Sequence, residues 1–168
     1  MPLPYRNWAS RVSGWIHRSV EAAVVILFLA MLAVGFAQIL NRFFLGTSLS
    51  WSEEFQRFAH IWIIFLAIPI GYRRGVHIGV DLLESALSRA AARRLAFVID
   101  IGWLVLGIAL VITTQTLMQV ARRQTVPSMG ITMDYIYLGL VIGGVYLVFV
   151  AASRILTTLF PQTGERAS

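Results

Sequence analysis

Three histidines, eight acidic residues and no cysteine are the raw material for chemistry in this chain. Without a thiol, disulfides, thiolate metal sites, cysteine nucleophiles and c-type haem attachment are excluded. His17, His60 and His77 invite haem or zinc ligation, but the first precedes an apolar run, the second lies inside another and the third follows it. On the topology derived below, His17 and His77 fall on one side of a membrane and His60 nearer the other. No histidine or carboxylate cluster has ligand spacing. Nor is there a glycine-rich phosphate loop, a G-x-S-x-G elbow or an H-E-x-x-H helix. The sequence gives no case for an enzyme, a cofactor or a metal. What remains is a set of ionisable groups beside or within apolar segments: Glu53, Glu54, Arg57 and His60 in one, Asp100 in another. Such groups are costly in hydrocarbon and persist where they pair or face protein.

The elements that carry them are membrane spans. The 168 residues are 58% hydrophobic and 13% charged, with a mean hydropathy of +0.75, which specifies an all-α integral membrane protein in one membrane domain. Four spans are expected at 22–41, 53–72, 95–121 and 135–153, with an amphipathic surface connector at 81–94 that is too polar to cross. Arg6, Arg11 and Arg18 mark a leader whose period suits the membrane surface. The leader, the apolar run and Gly35-Phe36-Ala37 resemble a cleavable signal, but the run is long, so an uncleaved span is expected. All 14 basic residues are arginine, giving a formal charge of +6. They sit at the ends of apolar runs, so topology and lipid headgroups account for them better than nucleic acid. Arg6, Arg11, Arg18, Arg73, Arg74, Arg89, Arg93, Arg94, Arg154 and Arg166 lie on one side, against Arg42, Arg122 and Arg123 on the other. Both termini and the middle connector are therefore expected in the cytoplasm.

The second span is the unusual one. Its uncharged part, residues 58–72, makes only about 22 Å of helix, short of a bilayer core of about 30 Å. A full crossing must take in Glu53, Glu54 and Arg57. At 100° per residue Glu53, Gln56, Arg57 and His60 share one narrow face, and Phe55, Phe58, Trp62, Phe65 and Pro69 share the opposite one. The expectation is an aromatic face toward lipid and a polar face toward protein. Arg57 stands four residues from Glu53 and three from Glu54, spacings that allow an ion pair within the helix. Ser50 with Glu53 fits a capping box.

Asp100, Gly107 and Thr114 recur by sevens in the third span, with Asp100 near enough to Arg73, Arg74, Arg93 and Arg94 for a structural bond. The loop 122–134 has Pro127 and Gly130 as turn formers, and Asp134 can cap the fourth span. Gly139 and Gly143 form a G-x-x-x-G pair that permits close helix contact.

Residues 42–83, with W-S-E-E at 51–54, Arg57, the aromatic-rich span and R-R-G-V-H-I-x-V-D at 73–81, resemble the small membrane subunit, DctQ type, of tripartite ATP-independent periplasmic (TRAP) transporters. The block VPSMGITMDYIYLGLVIGG at 126–144 resembles that family's second motif, with Thr132 standing where the family favours proline. The resemblance implies a bacterial inner-membrane, multi-pass subunit. Its partners would be a large permease subunit, held stably and carrying the sodium coupling and the organic acid, and a periplasmic binding protein, met transiently. It also implies that Glu53, Arg57, His60 and the small-residue sides of the third and fourth spans, Gly139 and Gly143 included, contact the large subunit. Arg73, Arg74, His77 and Asp81 would hold the second span's inner end at the headgroups. A redox-complex anchor and a self-sufficient small exporter are the competing classes.

Overall fold

The computed structural model describes residues 4–75 and 88–159. Within them lie four helices: α1 Pro4–Leu45, α2 Ser50–Arg73, α3 Arg89–Ala121 and α4 Asp134–Leu159. Each is long and apolar enough to cross a membrane. Among the described residues the only β pairing is an isolated bridge between Thr125 and Thr132.

The helix bounds depart from the sequence expectation in several places, the fourth helix running on to Leu159 among them. The leader and the first span form one uninterrupted helix of 42 residues, about 63 Å long, because no proline or glycine pair interrupts it beyond Pro4. It stops at Leu45, where Gly46 takes φ +65° and Asn41 Nδ2 donates to the Thr47 carbonyl at 3.1 Å. Secondly, α3 starts at Arg89, so residues 89–94 of the expected connector already belong to the third helix. Ser88 caps it, its hydroxyl accepting from the Ala91 N–H at 3.4 Å. The rest of the connector lies outside the described residues, as do His77 and Asp81. Thirdly, α2 begins at Ser50 itself, so Ser50 is the first helical residue and the capping box does not form. Leu49 holds the cap position without a side-chain bond, and Ser52 turns its hydroxyl back to the Leu49 carbonyl at 2.7 Å.

Packing follows an order that differs from the chain order. The neighbouring pairs are α1 with α2, α2 with α4, and α4 with α3. The helices thus form an open row, α1–α2–α4–α3, in which α2 and α4 run parallel at the centre. In a closed bundle the edge helices would meet; here α1 and α3 do not pack on each other among the described residues. Phe28, Leu29, Leu32 and Phe36 of α1, and Val98, Val105 and Ile112 of α3, remain exposed, as edges bathed in lipid require.

Glycines set the spacing of the row. A Cβ on Gly139 would stand 2.6 Å from the Trp62 indole, and one on Gly143 would stand 2.5 Å from the Phe65 carbonyl oxygen. That carbonyl is special, because Pro69 four residues on has no N–H to donate to it. The hydrogen standing in for a side chain at Gly143 points at this acceptor, a weak C–H···O contact where the helical N–H is missing. Gly107 and Gly144 do the same for α3 against α4, where added Cβ atoms would each lie 2.9 Å from a valine methyl. The aromatic side of α2 is therefore turned toward α4, correcting the expectation that it meets lipid. Gly139 and Gly143 are likewise used inside the chain and are not available to a second protein.

Candidate functional site

Two polar groupings stand at opposite ends of the helices. The first gathers where α2 and α4 end. Asp100, only 2% exposed, accepts from the Tyr72 hydroxyl at 2.5 Å and from Arg154 Nε at 3.1 Å. The Arg154 guanidinium also lies 4.9 Å from the centre of the Tyr72 ring and donates to the Tyr72 carbonyl at 3.3 Å. Trp103 of α3 also lies against this tyrosine, its ring tilted by 31° with ring centres 5.1 Å apart. Three helices are thus joined by one carboxylate, and its charge is answered from α4.

This corrects the sequence expectation for Asp100, which placed its partner among Arg73, Arg74, Arg93 and Arg94. Arg73 and Arg74 both donate instead to Glu21 of α1, Arg74 at 2.9 Å. Arg73 Nε is buried without a hydrogen-bond partner. Nearby, His17 Nδ1 and the Tyr146 hydroxyl share a hydrogen bond of 2.8 Å between α1 and α4. Arg73 and Arg74, at the end of α2, are thus partners of a specific acid.

The second grouping is the start of α2. Glu53, Arg57 and His60 are exposed in the chain, one above the other at four- and three-residue spacing. Neither Glu53 nor Glu54 pairs with Arg57 among the described residues, so the ion pair expected within the helix is absent. Glu54 instead accepts from the Ser128 hydroxyl of the α3–α4 loop. Gln56, at the edge of the stripe, is taken by Gln38 of α1 at 3.0 Å. Further along, the same exposed side of α2 continues as Ile64 and Ile68. It is polar in one half of the helix and apolar in the other.

The loop that reaches Glu54 is itself ordered. Val126, 1% exposed, donates to the Ile131 carbonyl at 2.8 Å, and Met133 donates to Gln124 at 2.9 Å. Gly130 turns the chain at φ +65°. Asp134 accepts from the Thr132 hydroxyl and stands 3.4 Å from Arg122. The expected turn at Pro127 and Gly130 is realised as this narrow hairpin.

Sequence reasoning missed Glu21, Tyr72 and Arg154. One signal pointed to Arg154: it is the first charge after the fourth span, and Asp100 is the first charge inside the antiparallel third. Helices of equal reach place them at one level. Glu21 could have been weighed as the single acid in an arginine-rich leader.

Four membrane-spanning helices with polar groups at their ends define a multi-pass membrane protein, and one whose central helix leaves an ionic stripe uncovered. The family model for tripartite ATP-independent periplasmic transporters, DctQ component, matches residues 31–160. The chain belongs to that family: it is a TRAP transporter small permease subunit, a transporter component rather than an enzyme. It is 24% identical over 140 residues to a putative TRAP transporter small permease protein of Haemophilus influenzae, covering 83% of this chain and 85% of the relative. It is 27% identical over 154 residues to the sialic acid TRAP transporter small permease protein SiaQ of Vibrio cholerae, covering 91% and 88%. The C4-dicarboxylate TRAP transporter small permease protein DctQ of Vibrio cholerae is 32% identical over 79 residues, 46% of this chain and 34% of that protein.

Proposed function

We propose that this chain is the scaffold of a sodium-coupled importer, packing stably beside a large permease subunit that carries an organic acid delivered by a periplasmic binding protein. Sodium and substrate are assigned to the large subunit, and no cofactor to this chain. Its place is the bacterial inner membrane with both termini cytoplasmic, supported by the ten-to-three arginine asymmetry counted above. The organic-acid class is supported by the names of its relatives, one for sialic acid and one for C4-dicarboxylates.

One observation carries the reading. Glu53, Arg57 and His60 stand exposed on a helix of 24 residues, about 36 Å, which has little length to spare over a 30 Å core. Charges at that level are stable only against protein, and the chain's own helices leave this side open. A large permease covering it would enclose the stripe and the Ile64 and Ile68 surface together. An open row lying against a partner also suits a stationary support, which a moving transport domain needs.

The test is to change Arg57→Leu and Glu53→Gln separately and measure co-purification of the large subunit and uptake. Both residues are exposed, so the fold of this chain should survive. Loss of the complex is expected. Unchanged complex yield and uptake would reject the contact. An intact complex without uptake would assign the stripe to transport or to docking of the binding protein.

A further inference from the structure

The groove between α3 and α4 carries a gradient of polarity. Ile108, Ile112, Gln115, Gln119 and Arg122 recur at three- and four-residue spacing and share one side of α3 and its end. Leu138, Val141, Val145 and Val148 do the same on α4. Between them, one cavity of about 230 Å³ is walled by Ile108, Val111, Ile112, Val145 and Val148. Along the same two faces toward the α3–α4 loop, a second of about 350 Å³ is walled by Gln115, Gln119 and Arg122 with Met118, Leu138 and Val141. The groove is hydrocarbon-lined in its middle and polar at its mouth.

Depth gives this order a meaning. Asp100 marks one boundary, and Gln119 lies about 29 Å further along α3, close to the thickness of a hydrocarbon core. Gln119 and Arg122 therefore stand at the opposite headgroup level, with Gln115 one turn inside it. All three are exposed in the chain. Arg122 Nε stands 3.4 Å from Asp134 and its side chain is 69% exposed, which leaves the guanidinium accessible to an anion. It also sits on the side of the membrane with few arginines, where topology gives no reason for it.

We propose that this groove binds one phospholipid of the leaflet on the loop side. Its phosphate pairs with Arg122, its ester carbonyl oxygens accept from the Gln119 and Gln115 amides, and one acyl chain fills the valine and isoleucine section. A protein helix laid there would need polar residues at the mouth and apolar ones below. A phospholipid has that order intrinsically, with the charge that complements Arg122.

The full chain, purified gently from its own membranes with its partner subunits, should retain one phospholipid by native mass spectrometry. Arg122→Gln combined with Gln119→Leu should lower the retained fraction roughly tenfold, the worth of a charge-assisted hydrogen bond. Ile112→Trp, which fills the apolar section, should displace the lipid by a separate route. Retention unchanged in both variants would overturn the proposal. Because the chain has no cysteine, a photoreactive maleimide on Val141→Cys reports the occupant directly in vesicles of phosphatidylethanolamine and phosphatidylglycerol. A phospholipid adduct is expected, whereas cross-linking to protein alone would give the groove to a partner helix and overturn the lipid. Neither readout involves Arg57 or His60, so this inference and the contact assigned to α2 fail independently.

Discussion

Replacing Gly143 by alanine should separate the two central helices. The added methyl would lie 2.5 Å from the Phe65 carbonyl oxygen, 2.8 Å from its carbon and 3.1 Å from its Cβ. Two of these are backbone atoms, so no rotamer change relieves the clash. An ordinary carbon–oxygen contact begins near 3.3 Å, so α2 and α4 must part by about 0.8 Å. A gap of that size forfeits roughly a quarter to a half of each dispersion contact along the seam. Overpacking of this kind typically costs about 1–3 kcal/mol, and the rigid backbone on both sides places this case at the upper end. At Gly139 the three nearest atoms to the new methyl all belong to the Trp62 indole, a side chain rather than backbone, so Gly139→Ala should cost less than Gly143→Ala. Gly71→Ala and Gly102→Ala, with nothing within 4 Å of the new methyl, should cost nothing. Denaturation of the purified chain by sodium dodecyl sulfate, followed by tryptophan fluorescence, ranks the four variants. If Gly143→Ala is as stable as Gly71→Ala, the account of the α2–α4 seam is wrong.

Three further outcomes can be checked together. Asp100→Leu should destabilise the chain by about 3–5 kcal/mol or somewhat less, since Arg154 is partly exposed and can regain water; adding Arg154→Leu should recover part of the loss, measured as a double-mutant cycle. Glu21→Gln breaks partly exposed contacts to Arg73 and Arg74 and should change stability by less than about 1 kcal/mol, with the difference shrinking as salt is raised. Thr132→Pro should be tolerated in the folded chain, because the hairpin bonds run through Val126, Ile131, Met133 and Gln124 and use no Thr132 N–H; loss of folded yield would show that the loop depends on the Thr132 hydroxyl bond to Asp134.

Hydropathy made the four spans legible, because twenty apolar residues in a row have one stable environment. It could not say which apolar surface meets lipid and which meets protein, since both are hydrocarbon. Trp62 and Phe65 therefore look lipid-facing by pattern, whereas in the fold they lie on Gly139 and Gly143. The glycine pair itself was readable as a close approach, but its partner was not, because G-x-x-x-G specifies proximity and not identity. The same limit applied to Asp100. Arg93 and Arg94 precede it by less than two helical turns and Arg73 and Arg74 close the preceding span, yet the fold pairs it with Arg154, because α4 packs between α2 and α3 and brings that guanidinium to the carboxylate. Glu54 looked like a helix-start acid with an arginine one turn away; the hairpin of the next loop folds back and supplies Ser128 instead. The need of the second span to take ionic residues with it was readable from length alone, and α2 indeed runs through Glu53, Glu54 and Arg57.

The central claim is that a partner permease covers the Glu53, Arg57 and His60 side of α2. In this cysteine-free chain, His60→Cys carrying a photoreactive maleimide tests it directly in native membranes. The account predicts a cross-link to the large subunit, and poor reaction of the same cysteine with a membrane-impermeant maleimide once the complex has assembled. Rapid labelling from water together with no cross-link to any protein would contradict it.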